Sequence, residues 1–241
     1  MRDQAPTIGR YRSVEICGHN VWVRAENLGG KNDVFIAAGP LRDEYGLDQI
    51  AQTGFPMDWI LDIGAFVGTF TMKAKQLWPN AKIIAFEPSP ETAMLYRKNT
   101  SAYKDVIFYE AAATGRGQPE TVHLIANDDF HAARRVAEVI TQFDEPMQAG
   151  ESVKSLRLVD VLKTNGNPHI AFLKIDAEGV EADLLEDLNA VDYLERIHWI
   201  HGEWHYFQSI PRIKAALQKT HELNIEQNTH PWGHFKAVRK I

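Results

Sequence analysis

Three short stretches hold residues whose types and spacing can do chemistry. In ILDIGAFVGTF a strand-like apolar run ends at Asp62 and Gly64, a tight turn reaches Gly68, and a helix opens near Thr69. Glycine at those points lets backbone N–H groups and a helix N-terminus approach a polar ligand with no side chain in the way. The spacing is GxxxG, so the GxGxxG of a dinucleotide pyrophosphate site is absent. About twenty residues further on, KIIAFEP ends in Glu87, whose carboxylate can accept hydrogen bonds from both hydroxyls of a ribose. In a purely structural role Glu87 would cap the helix that follows.

The second stretch, FLKIDAEGVEADLL, puts Asp176 at the end of an apolar run, Glu178 in the turn after it and Glu181 in the first turn of a helix. A carboxylate at a strand end faces the crevice where open α/β sheets bind ligands. An acid at the position of Glu181 is favoured by the helix dipole whatever the function. The third stretch, IHWIHGEWHYF, ends at Glu203, Trp204 and His205. The ordinary pKa of histidine lies near neutrality, which makes His205 a candidate general base. Trp199, Trp204, Tyr206 and Phe207 read as core and pocket wall. If the two rims are neighbours, Asp176, Glu178, Glu203 and His205 reach one substrate hydroxyl, and the same oxygen-rich set could hold magnesium.

Such residues need elements to position them. WILDIG, KIIAFEP, VIFYEAA, IAFLKID and IHWIHGE are short apolar runs that read as buried parallel strands. TFTMKAKQLW, SPETAMLYRKNTSAY, LVDVLKT and EADLLEDLNAVDYL supply the helical crossovers that parallel strands require. The alternation predicts a doubly wound α/β sheet. About 60 residues separate the third run from the fourth, far beyond an ordinary loop. This insertion, at about 113–157, is expected to carry strands at TVHLI and SVKSLRL, with the polar NDDFHAARRVAEVITQFDEPMQAG between them as a mobile cap that selects substrate. PWGHFKAVRKI predicts a final strand. Residues 1–58 form an extension: VEICGHNVWV followed by NDVFIAAG reads as a hairpin or edge-strand region, and LRDEYGLDQIAQTG as a helix leading into the core at 59–241.

The 241 residues carry 26 basic and 32 acidic side chains, a formal charge of −6, which argues against a broad nucleic-acid-binding face. Cys17 is the single cysteine, so neither an internal disulfide nor a thiolate zinc cluster is available, and a reducing cytoplasmic setting is expected. No window approaches the roughly 20 apolar residues of a membrane span, and MRDQAPTIGRYR does not resemble a signal peptide. No membrane association is expected.

Taken in order, LDIGAFVGTFT, AFEPSPETAMLYRKN, LRLVDVLKTNG and FLKIDAEGVEADLLEDL resemble the successive motifs of the FkbM family of S-adenosylmethionine-dependent methyltransferases, over roughly residues 59–205. The resemblance implies a seven-stranded, mostly parallel, Rossmann-like methyltransferase sheet with the cofactor across the carboxyl ends of its first strands. Carried over position by position, Asp62, Gly64 and Gly68 would line the methionine and sulfonium side and Glu87 would bind the ribose. Phe66, Thr69, Pro88 and Ala111 complete the cofactor-facing set. The family usually has Asn and Ile where this chain has Phe66 and Val67, a departure that alters packing or cofactor contact. The activity implied is O-methylation of a hydroxyl on a sugar or secondary metabolite. An alcohol is a poor nucleophile until its proton leaves, so the reaction calls for a base, and His205, Asp176 and Glu178 are the candidates. Two other classes use a similar βαβ unit. A nicotinamide-dependent oxidoreductase should show GxGxxG near the start of its nucleotide domain. A non-catalytic nucleotide-binding module should leave the fourth and fifth strand rims free of acids and bases.

Overall fold

The computed structural model describes residues 9–127, 130–136, 151–226 and 228–240. Its centre is a seven-stranded sheet in the order β12-β13-β11-β10-β3-β4-β5. Strands β3 (Trp59–Ile63), β4 (Lys82–Phe86), β5 (Val106–Tyr109), β10 (Ile170–Ile175) and β11 (Ile197–His205) run parallel. β13 (Trp232–Arg239) lies antiparallel to β11 on one side and to β12 (His221–Ile225) on the other. The chain winds outward from β3 in one direction and from β10 in the other, so the topological switch point falls between these two strands.

Helices cover both faces. Strand residues alternate in direction, so Leu61, Ile63, Leu173, Ile175 and Ile200 join one cluster with α5 (Leu158–Thr164), α6 (Glu181–Ala190) and α7 (Ser209–Leu217). Ile60, Ile83, Ala85 and Phe172 point the other way, against α2 (Leu47–Gln52), α3 (Thr69–Leu77) and α4 (Pro90–Thr100).

The inserted region forms a second sheet in the order β6-β9-β7-β8, from β6 (Ala112–Thr114), β7 (Thr121–Asn127), β8 (Phe130–Val136) and β9 (Glu151–Arg157). TVHLI and SVKSLRL are strands here, as their patterns suggest. The proposed cap, 127–150, gives Asn127 to β7 and Phe130–Val136 to β8, and its remainder, 128–129 and 137–150, lies outside the described residues.

The N-terminal region departs from the sequence reading in two places. β1 (Tyr11–Ile16) and β2 (His19–Arg24) form the hairpin, but NDVFIAAG, read as an edge strand, belongs to helix α1 (Gly30–Leu41). Val34, Ala37, Ala38 and Leu41 recur at helical spacing, and all four pack with Val21, Val23, Met72 and Leu95 in a third cluster, while Phe35 is 77% exposed. The single helix expected over LRDEYGLDQIAQTG is split: Leu41 closes α1, the chain turns through Asp43 and Gly46 at positive φ, and α2 begins at Leu47. A buried ion pair ties hairpin to helix, with Arg24 Nε 2.9 Å from Asp33 Oδ2 and its NH2 group 2.5 Å from Oδ1. Asn99 of α4 holds both hairpin and glycine turn, since its amide donates to the carbonyls of Trp22 and Val67 and its Oδ1 accepts from Trp22 N–H.

Candidate active site

The carboxyl ends of β3 and β4 shape one half of the crevice. Gly64 has φ of 75°, and a Cβ there would sit 1.8 Å from the carbonyl oxygen of Asp176, so only glycine fits between β3 and β10. Gly68, at φ 93°, is the N-cap of α3 and lies against Thr100 and Tyr96. Among the described residues no side chain caps α3 and no acid stands in its first turn, which begins at buried Thr69. Phe66, between the glycines, also has positive φ, at 49°, where asparagine is more at home than an aromatic. Its N–H donates to Glu87 Oε2 at 3.0 Å and Ser89 N–H donates to Oε1 at 2.9 Å. Glu87 therefore stitches the glycine turn to the start of α4. Pro88 beside it is half-buried, and Ala111, just past β5, is buried.

Asp62 lies beneath this turn, at 0% exposure. Its Oδ2 accepts from Thr71 Oγ1 at 2.9 Å, the same hydroxyl that meets Tyr96 OH at 3.0 Å. Burial raises its pKa against the opposing pull of Lys174 and Thr71. The carboxylate thus braces the turn from below.

The other half is built on β10, β11 and β13. Strand pleat and register put Asp62, Lys174, His201 and Lys236 in one row across four strands, with Lys174 paired to both Asp62 and His201 and His201 paired to Lys236. One step toward the strand ends, Glu203 pairs with His234 next to Asp176; a step further, His205 pairs with Trp232. The turn between α1 and α2 covers this polar face. Tyr45 accepts the Nδ1–H of His201 on its carbonyl at 2.5 Å, its hydroxyl reaches Asp176 Oδ2 at 3.4 Å, and its ring lies 5.7 Å from Lys174 Nζ. That hydrogen bond fixes His201 as the Nδ1–H tautomer, and burial holds its pKa down at about 4.

His205 is held by carboxylates. It donates from Nδ1 to Glu181 Oε1 at 2.9 Å, and Nε2 lies 3.4 Å from Glu178 and 3.8 Å from Glu203. Burial alone would lower its pKa, but Glu181, then Glu178 and Asp176, push it up to about 10. Glu181 is completely buried and also accepts the N–H groups of Ala177 and Gly179, so it organises the turn after β10 and pairs with His205, more than the helix dipole alone would ask of it. Glu203 is raised by burial and by Asp176. Asp176 remains 24% exposed at the crevice. Of the aromatics expected here, Trp204 is fully buried in the core, Trp199 and Tyr206 are half-buried, and Phe207 is exposed.

Sequence reading missed Lys174, Tyr45 and Glu44. A lysine in the run IAFLKI, whose residues are all buried, was the available signal for the first. Nothing local marks the other two, which arrive from the N-terminal region. Possible metal ligands also regroup: among the described residues, atoms of Asp176, Glu181 and His205 lie within 4.8 Å of one another, as do those of Glu44, Glu203 and His234. In the first group Glu181 and His205 already bond each other.

Sheet order and the glycine turn after the first parallel strand together define a Rossmann-like, mostly parallel α/β fold. The model of the methyltransferase FkbM domain matches residues 62–224, and the chain belongs to that family of S-adenosylmethionine-dependent enzymes. Methyltransferase 1 of Beauveria bassiana (strain ARSEF 2860) is 29% identical over 153 residues, 56% of this chain and 60% of that protein. The 31-O-demethyl-FK506 methyltransferase FkbM of Streptomyces tacrolimicus is 24% identical over 202 residues, 73% of this chain and 76% of that one. Among solved structures, the N-terminal domain of human METTL16 in complex with SAH is similar at a TM-score of 0.47 and 12% identity, covering 83% of this chain and 69% of that one. Among the described residues no helix is long and apolar enough to cross a membrane.

Proposed function

We propose that this enzyme moves the methyl group of S-adenosylmethionine to a hydroxyl of a small molecule, with Asp176 as the base. The observation that carries the reading is the adjacency of the two halves: the Asp176 carbonyl packs against Gly64 of the donor turn, while the Asp176 carboxylate is accessible beside it. Methyl transfer from a sulfonium is an in-line displacement, so alignment and exclusion of water supply most of the catalysis. In this reading the turn that carries Gly64, Phe66, Gly68 and Thr69 faces the methionine end and Glu87 the ribose hydroxyls. Pro88 and Ala111 flank the adenosyl moiety and Asp62 supports the turn from below.

The alcohol proton must leave as the oxygen–carbon bond forms. A His205 with pKa about 10 is an imidazolium at neutral pH and has no lone pair to take that proton. Its role is to orient Glu178 and the turn that carries Asp176. The acidic rim at Asp176 and Glu178 suits a neutral or cationic acceptor and opposes nucleic acid or another polyanion. Because Glu181 and His205 already pair, no step here is assigned to a metal. The free, exposed Cys17 suits a cytoplasmic setting.

Titration calorimetry with S-adenosylmethionine, S-adenosylhomocysteine and NAD tests the donor half. Binding of the first two is expected, with at least a tenfold weakening in Glu87→Ala. Folded protein that binds neither would sink the reading. Mass spectrometry of metabolite extracts incubated with labelled donor then identifies the acceptor, and label on nitrogen or carbon in place of oxygen would overturn the O-methylation assignment.

A further inference from the structure

Lys174 touches both halves of the crevice. It is the penultimate residue of β10 and is 3% exposed. Nζ donates to the carbonyl of Ile63 at 3.1 Å and to that of Gly64 at 2.5 Å, the last strand residue and the first turn residue of the donor half. The same nitrogen lies 3.7 Å from Asp62 Oδ1 and 3.7 Å from Asp176 Oδ2. Asp62 Oδ1 is buried with no hydrogen-bond partner among the described residues, so Lys174 is its compensating charge. Tyr45 lies over the group from the α1–α2 turn, and Glu44 and Glu203 contribute to the field at the ammonium.

A buried lysine is expensive unless its charge is paired and its N–H groups are bonded. Here both conditions are met by groups that the reaction uses or supports. Carbonyls of the donor turn take two of its protons, and the remaining direction is shared by the bracing carboxylate below and the crevice carboxylate in front. An ammonium has no preferred plane, so a small displacement of the turn shifts it relative to both carboxylates.

We propose that Lys174 is a positioning residue that couples the donor turn to Asp176, so that the carboxylate is set in place when the donor turn is occupied. The inference rests on the methyl-transfer reading above and adds a route by which donor binding is felt at the acceptor side. The N–H groups of Gly64 and Ala65 are held by the Phe86 carbonyl and that of Phe66 by Glu87, so the turn moves as one piece. A donor seated against it moves the Gly64 carbonyl, the ammonium follows it, and Asp176 follows the ammonium.

Lysine ammonium resonances of the full chain, recorded by nitrogen NMR with and without saturating S-adenosylmethionine, provide the test. One slowly exchanging ammonium is expected, absent from Lys174→Arg and shifted by the donor. Calorimetry on variants gives a second reading: Lys174→Met should bind S-adenosylmethionine at least tenfold more weakly, and Lys174→Arg, which restores charge and donors, should recover most of that loss. An ammonium signal unmoved by donor that does bind overturns the coupling while leaving the methyl-transfer reading intact. Wild-type affinity in Lys174→Met overturns it equally. Failure of the wild-type protein to bind the donor overturns both. Should Lys174→Met not fold, the wild-type spectrum decides alone.

Discussion

A histidine with a pKa of about 10 carries its proton throughout the neutral range, and three carboxylates around His205 give the reason. The folded value lies above the ordinary 6.5, so ionisation of this group favours the folded state. Its contribution is fully present below about pH 6.5 and is lost as pH rises through about 10. In urea unfolding, the wild-type midpoint should therefore fall between those limits more steeply than that of His205→Gln. Parallel curves for the two proteins would show that His205 is not charged in the folded state. Identifying His205 as chemically notable needed only the sequence. Its charge did not follow from the sequence, because Glu181 lies 24 positions away and becomes its partner only when α6 packs beside the end of β11.

Among the elements, α4 has a duty beyond crossing over between strands. Asn99 on its inner side makes three hydrogen bonds of 2.8–3.0 Å, two to Trp22 of the hairpin and one to the Val67 carbonyl inside the donor turn. At roughly 1 kcal/mol each, Asn99→Ala should lower stability by about 3 kcal/mol and also weaken donor binding, because the turn loses an anchor. Denaturant titration and calorimetry on the same variant check both, and a loss of stability with donor affinity intact would separate the hairpin from the site. The five parallel strands and four crossover helices were legible because each is a continuous apolar run or a helical stripe bounded by turn residues. Helix α1 was misread because NDVFIAAG is short and apolar enough to fit either element. The helical reading wins through Val34, Ala37, Ala38 and Leu41, which find Val21, Met72 and Leu95 on other elements.

Across the whole molecule, the family match over residues 62–224 leaves out much of what closes the crevice. Tyr45 and Glu44 come from before it, and His234, paired with Glu203, from after it. A chain trimmed to begin at Trp59 would uncover Val67, Met72 and Leu95 on one side and Ile60 and Phe172 on another, so it should aggregate or lose fixed tertiary structure. Size-exclusion chromatography and near-ultraviolet circular dichroism check this; a monomeric trimmed chain with native donor affinity would show the N-terminal region to be dispensable. Taken alone, the sequence determined the parallel α/β class, the glycine turn, Glu87 and the acidic strand ends, because those depend on local pattern and on the alternation of elements along the chain. Only the tertiary structure decided that Asp62 is buried below the turn, that Lys174 bonds that turn beside Asp176, and that Tyr45 covers them both. Those relations join residues more than a hundred positions apart, and they are set by sheet order and strand register, which no local pattern encodes.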